Sequence, residues 1–272
     1  MTSPRILVTG SSDGIGKATA AELLNRGAEV VVHGRTEKEM QASRRWLAKA
    51  TGCGMPEGFS ADFSVMAAVR QMAAEIAERY TSLNVLVNNA GTYQRRRRLT
   101  SQGTELTFAV NFLAPFLLTR LLVPLLEKGT PARIVNVASL AHEYVHHIDW
   151  ENLPAWQEYD AWDAYALSKL ADIAFTYRLA RDLKGSNITV NCLHPGVTDT
   201  HLLHAMDPGL SGISPAEAAR SSVYLALSDE AAGITGKYFT DMEPVTSSEL
   251  SRNRTIQNRL WTLAEDLTKS TE

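Results

Sequence analysis

The sequence has few cysteines and no excess of charge of either sign. Its 272 residues contain two cysteines, Cys53 and Cys192, which lie far apart and form no CxxC pair. This favours a reducing, cytoplasmic setting over a secreted one. Lysine and arginine number 27 against 30 acidic residues, a net charge of −3. The chain therefore lacks the excess of basic residues that would indicate nucleic acid or an anionic membrane as a partner.

Long hydrophobic runs are also missing. The most apolar segment, residues 112–126, is interrupted by Pro115, Arg120 and Pro124, and it is too short to span a bilayer. The first apolar run begins at Ile6, which leaves no room for a signal peptide. We therefore expect a soluble protein with no membrane partner, long enough for one large domain with a substantial core.

The chain instead contains a regular alternation of strand and helix patterns. Strands are predicted over residues 6–9, 29–33, 85–88, 133–137, 189–193 and 237–240, with a weaker candidate over 58–61. Helices are predicted over residues 17–26, 38–50, 65–80, 105–126, 164–183, 215–227 and 256–267. The strands are β-branched and almost continuously apolar, as parallel strands buried on both faces are. The pattern predicts an α/β fold with a doubly wound parallel, Rossmann-like sheet, in a single domain over residues 1–272.

A glycine-rich turn joins the first predicted strand to the first helix. It reads Thr9-Gly10-Ser11-Ser12-Asp13-Gly14-Ile15-Gly16. Glycines let the backbone turn tightly and approach a pyrophosphate, and the helix N-terminus directs free N–H groups at the anion. The strand–turn–helix context favours a dinucleotide site over a turn that only reverses the chain. The candidate contacts are Gly10, Ser12, Asp13, Gly14, Ile15 and Gly16.

The end of the second predicted strand bears on which dinucleotide binds. An acidic residue there binds the ribose 2′-hydroxyl of NAD, but this chain reads Val32-His33-Gly34-Arg35-Thr36. A carboxylate would repel a 2′-phosphate, whereas a guanidinium can bind it with two hydrogen bonds. Arg35 therefore predicts NADP, with NAD as the lesser alternative. The competing interpretation is that Arg35 is an ordinary solvated loop residue.

Three further features follow in order along the chain. Asn88-Asn89-Ala90-Gly91 ends the fourth predicted strand, and Ser139 follows the fifth. Tyr165 and Lys169 lie one turn apart on one face of a predicted helix. A nearby ammonium favours the phenolate form of a tyrosine, which suits the phenol to acid–base work. Taken singly, each feature also has an ordinary structural explanation, and Asn111 alone would be a buried helix amide.

Together these motifs resemble the classical short-chain dehydrogenase/reductase family over essentially the whole chain. The retinol-dehydrogenase-like branch is the most similar, through Ser139-Leu140-Ala141-His142, Leu183-Lys184-Gly185-Ser186 and Gly236-Lys237-Tyr238-Phe239. The resemblance implies that Tyr165 donates the proton in reduction and accepts it in oxidation. It implies that Lys169 favours the phenolate and binds the nicotinamide ribose, that Ser139 hydrogen-bonds the substrate oxygen, and that Asn111 holds a water of the proton relay.

The same resemblance implies the remaining cofactor contacts, namely Asp62, Asn89, Ala90, Gly91, Pro195, Gly196, Thr198 and Thr200. Two positions depart from the family pattern. Thr198 replaces an aliphatic residue, and Asp13 makes the glycine-rich loop acidic where NADP-dependent members often carry a basic group. The second departure weakens the NADP prediction without reversing it.

These observations predict an NADP-dependent oxidoreductase that transfers hydride between nicotinamide and a small apolar or aromatic alcohol, aldehyde or ketone. The alternative is a non-catalytic dinucleotide-sensing protein on the same fold. The presence of both Tyr165 and Lys169 favours the enzyme. Substrate identity, reaction direction and homo-oligomerisation stay open.

Two segments are expected on the substrate side. The interval of about residues 140–164 is a long insertion that contains Tyr144, Trp150, Trp156, Tyr159 and Trp162. These rings could line an apolar pocket or pack the insertion onto the domain. Residues 201–214 are expected to form a mobile flap. The run Arg95–Arg98 is expected to be a solvated loop, with an anionic substrate tail or an acidic partner as the alternative.

A competing motif, His142-Glu143-Tyr144-Val145-His146, spells the H-E-x-x-H signature of zinc metalloproteases. Zinc catalysis needs both histidines on one helical face and a third ligand. Here the motif lies in a connecting loop three residues after Ser139. We therefore expect no bound metal.

Overall fold

A computed structural model describes residues 3–154 and 156–269, and one eight-stranded sheet organises them. The strands are β1 (Arg5–Val8), β2 (Glu29–Gly34), β3 (Glu57–Ser60), β4 (Val85–Asn88), β5 (Ala132–Val137), β6 (Ile188–His194), β7 (Tyr238–Thr240) and β8 (Glu243–Val245). Seven of them are parallel in the order β3-β2-β1-β4-β5-β6-β7, as a Rossmann-like fold requires. The predicted fold class is confirmed.

The last strand, β8, was not predicted. It pairs antiparallel with β7 at the sheet edge, and all three of its residues are exposed. Because its central residue is Pro244 and no face is buried, it has neither the continuous apolar character nor the alternation that marks a strand.

Helices cover both faces of the sheet. They are α1 (Gly14–Asn25), α2 (Glu37–Thr51), α3 (Met66–Arg79), α4 (Leu106–Phe108), α5 (Ala114–Leu126), α6 (Ala161–Asp182), α7 (His201–Met206), α8 (Pro215–Leu227), α9 (Glu249–Arg252) and α10 (Arg254–Thr268). Helix α1 packs between α2 and α8 on one face, whereas α3 and α5 pack together on the other. The buried strands between them are fully covered, which explains their continuous apolar sequence.

The predicted helix over 105–126 is interrupted by a π-helical segment. Glu105 caps α4 by accepting hydrogen bonds from the N–H groups of Thr107 and Phe108. A π turn over Ala109–Leu113 then joins α4 to α5. The whole stretch Leu106–Leu126 is long and apolar enough to cross a membrane by length and composition, but it is mostly buried inside the protein. It therefore has the features of a core helix.

Strands β2 and β3 are added on one side of β1, whereas β4 and the later strands are added on the other side. Strand β1 pairs with β2 on one side and β4 on the other, so the connections after β1 and β4 leave in opposite directions. A crevice opens at this point, along the carboxyl ends of the strands, where ligands bind in such sheets.

Candidate functional site

The crevice is a cleft of about 1200 Å³ that collects nearly every predicted site residue. The glycine-rich loop, Arg35, Asp62, residues 89–91, Ser139, Tyr165, Lys169 and the segment Pro195–Thr200 all contribute to its walls. Asn111 is the exception, because its side chain lies behind the wall. The structure thus brings together positions spread over nearly 200 residues of sequence.

The glycine-rich loop is held close to the end of β4. Gly10 has a φ of +62°, and a Cβ there would lie 2.8 Å from the Ala90 Cα. A Cβ on Gly16 would lie 2.3 Å from the Gly10 carbonyl oxygen. Asn89 fastens the loop by donating from its side-chain amide to the Thr9 carbonyl oxygen at 2.9 Å. These positions need glycine, and the bare backbone that results is what a pyrophosphate requires.

A buried histidine, which the sequence interpretation missed, locks this loop. The Gly10 N–H donates to His33 Nδ1 at 3.0 Å, and His33 Nε2 bonds the Ala61 carbonyl oxygen at 3.0 Å. Nε2 must therefore carry the proton, so the ring is neutral. Burial lowers the pKa of His33 to about 4. His33 thus joins the glycine-rich loop, the end of β2 and the segment after β3 in one fixed arrangement.

The end of β2 carries Arg35 at the edge of the cleft. Its guanidinium pairs with Glu39 at 2.9 Å, and the two side chains are 68% and 36% exposed. Glu39 lies in the first turn of α2 and also lines the cleft. Asp62 follows the neighbouring strand β3 and also lines the cleft, and its carboxylate accepts a hydrogen bond from the Ser64 N–H at 2.9 Å. Arg35 is therefore exposed enough to bind an anion, but a carboxylate competes for it.

The predicted acid–base pair lies on the cleft-facing side of α6. Tyr165 is 7% exposed, and the Lys169 Nζ lies 5.9 Å from the centre of its ring. Lys169 donates to the Val137 carbonyl oxygen at 2.9 Å. Ser139, just beyond β5, has extended backbone, and its Oγ accepts the Ala141 N–H at 3.2 Å. A phenol, an ammonium and a hydroxyl therefore line the same cleft.

Asn111 links the loop after β4 to helix α6 through its side-chain amide. Its side-chain oxygen accepts the Thr92 N–H at 2.7 Å, and its nitrogen donates to the Thr92 carbonyl oxygen and to the Ser168 Oγ, each at 3.0 Å. Ser168 in turn donates to the Tyr165 carbonyl oxygen at 2.7 Å. Asn111 sits in the π turn, a feature frequent at functional sites. Its amide therefore clamps the loop after β4 onto α6, and a water-holding role stays a prediction.

A second residue that sequence reasoning missed is Asp172. It follows Lys169 by three residues on α6, and Lys169 Nζ donates to its Oδ2 at 3.2 Å. Burial raises the pKa of Asp172 to about 7, against the lowering effect of Lys169. The signal was present in the sequence, because an acidic residue lies seven positions after Tyr165 and three after Lys169, on the same helix face.

The aromatic residues of the insertion divide between the two interpretations. Trp162 lies on α6, which begins at Ala161, three residues earlier than predicted. Its ring lies 6.2 Å from that of Tyr165 and 5.5 Å from that of Tyr144, and Trp162 and Tyr144 line the cleft. Trp156 is instead buried in the core. Trp150 packs against that core beneath the Arg259 guanidinium.

The predicted flap contains the short helix α7. Thr200 caps it, and Leu202, Leu203 and Met206 line the cleft. His201 hydrogen-bonds Asp13 of the glycine-rich loop, which raises the pKa of His201. Partial burial raises the pKa of Asp13, but the hydrogen bonds from His201 and the Gly14 N–H outweigh it, and the net effect is a lowered pKa of Asp13. The acidic departure in the loop thus has a partner across the cleft.

The Arg95–Arg98 run is exposed, as expected for a loop. Arg95 donates to the carbonyl oxygens of Ala205 and Met206 and so holds the end of α7. Arg98 contributes to the cleft wall.

The zinc-like pentapeptide does not form a metalloprotease site. His142 lies in the 3₁₀ turn Leu140–Tyr144, and both of its ring nitrogens have protein partners. Nδ1 bonds the Ser139 carbonyl oxygen at 2.8 Å, and Nε2 accepts the Ser248 N–H at 3.1 Å. His146 lies past this turn and is exposed. Within residues 3–154 and 156–269, no three metal-ligating side chains cluster.

Comparison with known sequences identifies the family. Residues 4–210 match the family model described as short chain dehydrogenase. Human retinol dehydrogenase 14 is 37% identical, with 97% of this chain and 86% of that protein covered. Human retinol dehydrogenase 13 is 36% identical, with 94% and 82% covered.

Solved structures with the same fold include an uncharacterized protein from Mycobacterium paratuberculosis. It has a TM-score of 0.81 and 30% identity, with 98% of this chain and 94% of that chain covered. A short chain dehydrogenase from Shigella flexneri, solved in complex with NADP, has a TM-score of 0.73 and 27% identity, with 88% and 97% covered.

Proposed function

This chain belongs to the short-chain dehydrogenase family of NAD(P)-dependent oxidoreductases that act on CH–OH groups, and we propose that it uses NADP to interconvert an apolar alcohol with its aldehyde or ketone. The observation that carries the proposal is that Tyr165, Lys169 and Ser139 line one cleft, in which the Trp162 ring lies 6.2 Å from that of Tyr165.

The residues along the cleft fit a dinucleotide. The glycine-rich loop has room for backbone alone, and the N-terminus of α1 opens toward the cleft, where a pyrophosphate would bind. Arg35 would reach a 2′-phosphate on one side, and Lys169 would reach the nicotinamide ribose on the other. The NADP complex of the Shigella flexneri relative supports this choice by analogy. A bound nicotinamide dinucleotide supplies hydride in reduction and accepts it in oxidation.

The protein groups handle the proton and the substrate oxygen. In reduction, the Tyr165 hydroxyl would donate its proton to the carbonyl oxygen as negative charge develops there, while the Ser139 hydroxyl holds that oxygen by a hydrogen bond. In oxidation the phenolate would take the proton back. Lys169 favours the phenolate through its positive charge. The geometry of α6, which puts Tyr165 and Lys169 one turn apart, sets this coupling.

An apolar substrate is supported by the lining of the outer cleft. Tyr144 and Trp162 form an aromatic wall beside Tyr165, and Leu202 and Met206 face the cleft from α7. Leu140, Trp162 and Tyr144 are each at least 38% exposed and lie together in the cleft lining, so they offer apolar surface to a substrate. The likeness to retinol dehydrogenases supports the same class of substrate. We extend the proposal to a cytoplasmic protein that needs no membrane, nucleic acid or metal.

The test is a panel of apolar aldehydes, ketones and alcohols, assayed with NADPH or NADP⁺ by nicotinamide absorbance. Tyr165→Phe removes the transferable proton and keeps the ring, so turnover should fall by orders of magnitude while cofactor affinity stays nearly constant. Near-normal turnover in this variant would overturn the acid–base assignment. A chain that binds NADPH tightly but turns over no member of the panel would favour the dinucleotide-sensing alternative.

A further inference from the structure

A buried carboxylate extends the acid–base pair along α6. Lys169 Nζ donates to the Asp172 Oδ2 at 3.2 Å, and the two side chains are 6% and 7% exposed. Tyr165, Lys169 and Asp172 are spaced i, i+4 and i+7, so they follow one another along a single face of the helix. The lysine that acts on Tyr165 is thus also half of a buried ion pair.

The pairing changes the charge that Tyr165 experiences. When Asp172 is ionised, Lys169 is one end of a dipole, and much of its field at Tyr165 is cancelled. When Asp172 is protonated or replaced by a neutral residue, Lys169 acts as an uncompensated positive charge. Because the site is buried and poorly screened, this difference is large compared with that of a surface pair.

Three neighbours of Tyr165, Lys169 and Asp172 carry no charge. Cys192 faces Asp172 from β6, and burial raises the pKa of this thiol, so it remains protonated. Strand β5 presents the Val137 carbonyl oxygen to Lys169. Tyr93 lies 5.9 Å from the Tyr165 ring, and burial raises the pKa of Tyr93. Lys169 and Asp172 are therefore the charged members of this cluster, while Asp160 and Arg95 act on Tyr93 from further out.

We propose that Asp172 is a positioning residue that moderates the charge of Lys169 and so sets the pH at which Tyr165 exchanges its proton. The inference rests on the proposed function, since it takes Tyr165 as the acid and base. It adds a third member to the pair, and its carboxylate acts through Lys169 without touching the substrate.

The test removes the charge and keeps the shape. In Asp172→Asn, Lys169 acts on Tyr165 with its full charge, so the phenolate forms more readily. The acid limb of the pH profile for alcohol oxidation should move to lower pH by about one unit, the low end of the effect of a neighbouring charge. Tyrosinate absorbance of the cofactor-free protein, corrected with Tyr165→Phe, should shift the same way. Asp182→Asn removes an exposed carboxylate from the end of the same helix, where it pairs with Arg178, and should leave both curves unchanged.

Asp172→Glu separates charge from packing. It keeps the carboxylate and disturbs the fit, so it should retain a profile near wild type even if thermal stability falls. A purely structural role predicts the reverse ranking, with Asn harmless and Glu harmful to the profile. If Asp172→Asn does not fold, Asp172→Ser removes the same charge and is assessed by the same two curves.

An unchanged acid limb in a folded Asn or Ser variant would overturn this inference. The proposed function would survive that result provided that Tyr165→Phe is inactive. Active Tyr165→Phe would instead overturn the proposed function and this inference together.

Discussion

The contact between Arg35 and Glu39 leads to a sharp prediction about cofactor choice. Arg35 is the cationic side chain at the end of β2, and its guanidinium donates a hydrogen bond to the Glu39 carboxylate at 2.9 Å. Binding of a 2′-phosphate must therefore draw Arg35 away from Glu39 or share it. We expect Arg35→Ala to weaken NADPH and to leave NADH nearly unchanged, because NADH lacks the phosphate.

The magnitude follows from the two competing contacts. An exposed i,i+4 ion pair contributes about 0.2–1 kcal/mol, and both side chains here are substantially exposed. A charge-assisted contact to phosphate contributes about 1.5–3 kcal/mol. The difference, about 0.5–2.8 kcal/mol, corresponds to roughly 2- to 100-fold in affinity. Glu39→Gln removes both the competitor and a negative charge near the phosphate, so it should raise the preference for NADPH about 2- to 5-fold.

The assay is the ratio of kcat/KM with NADPH to kcat/KM with NADH. Arg26→Ala is the matched control, because Arg26 makes a similar exposed i,i+4 pair with Glu22, outside the cleft lining. It should leave the ratio unchanged. A wild-type preference for NADH, or a ratio equal in Arg35→Ala and Arg26→Ala, would refute the argument and leave Arg35 a surface residue.

Three further predictions concern the loop and the cleft. Neutral His33, with its pKa lowered from 6.5 to about 4, stabilises the fold above pH 6.5; this contribution, roughly 3 kcal/mol, is lost as the pH falls towards 4. Urea unfolding across this range should show the loss in wild type, and a similar slope in His33→Gln would contradict it. Gly10→Ala should weaken NADPH binding and lower Tm, whereas Gly27→Ala, also at positive φ but with nothing near its Cβ, should cost about 1–2 kcal/mol of strain and leave fluorescence-detected NADPH binding intact. Trp162→Ala should raise KM for bulky apolar substrates several-fold with little loss of Tm. Trp150→Ala should lower Tm and leave KM nearly unchanged. Equal KM effects in the two variants would disprove the division of the insertion.

Much of the fold could be predicted because its signals are local. Buried parallel strands must be apolar along their whole length, so β1, β2, β4 and β5 stand out from the sequence. The π turn at Asn111 and the exposed strand β8 carry no such signal. Their form depends on Thr92, Ser168 and β7, which are distant in the chain or unremarkable in composition.

The candidate site also contains features that the sequence predicts and features that depend on distant contacts. Two site features are properties of short segments. Helix periodicity predicts that Tyr165 and Lys169 share a face, and the steric freedom of glycine predicts the tight loop. The role of a polar residue depends on what lies across from it in space. His33 could be recognised as the lock of the loop only once Gly10 and Ala61 were seen on either side of its ring.

The sequence by itself determined the order of most strands and helices, the glycine-rich loop and the spacing of the residues predicted to transfer a proton. Only the tertiary structure decided how those residues are paired: Arg35 with Glu39, Asp13 with His201, and Lys169 with Asp172. The physical reason is that a charge acts through its distance and burial. Distances across the cleft, and the burial of Asp172 between α6 and the sheet, arise only when the chain packs.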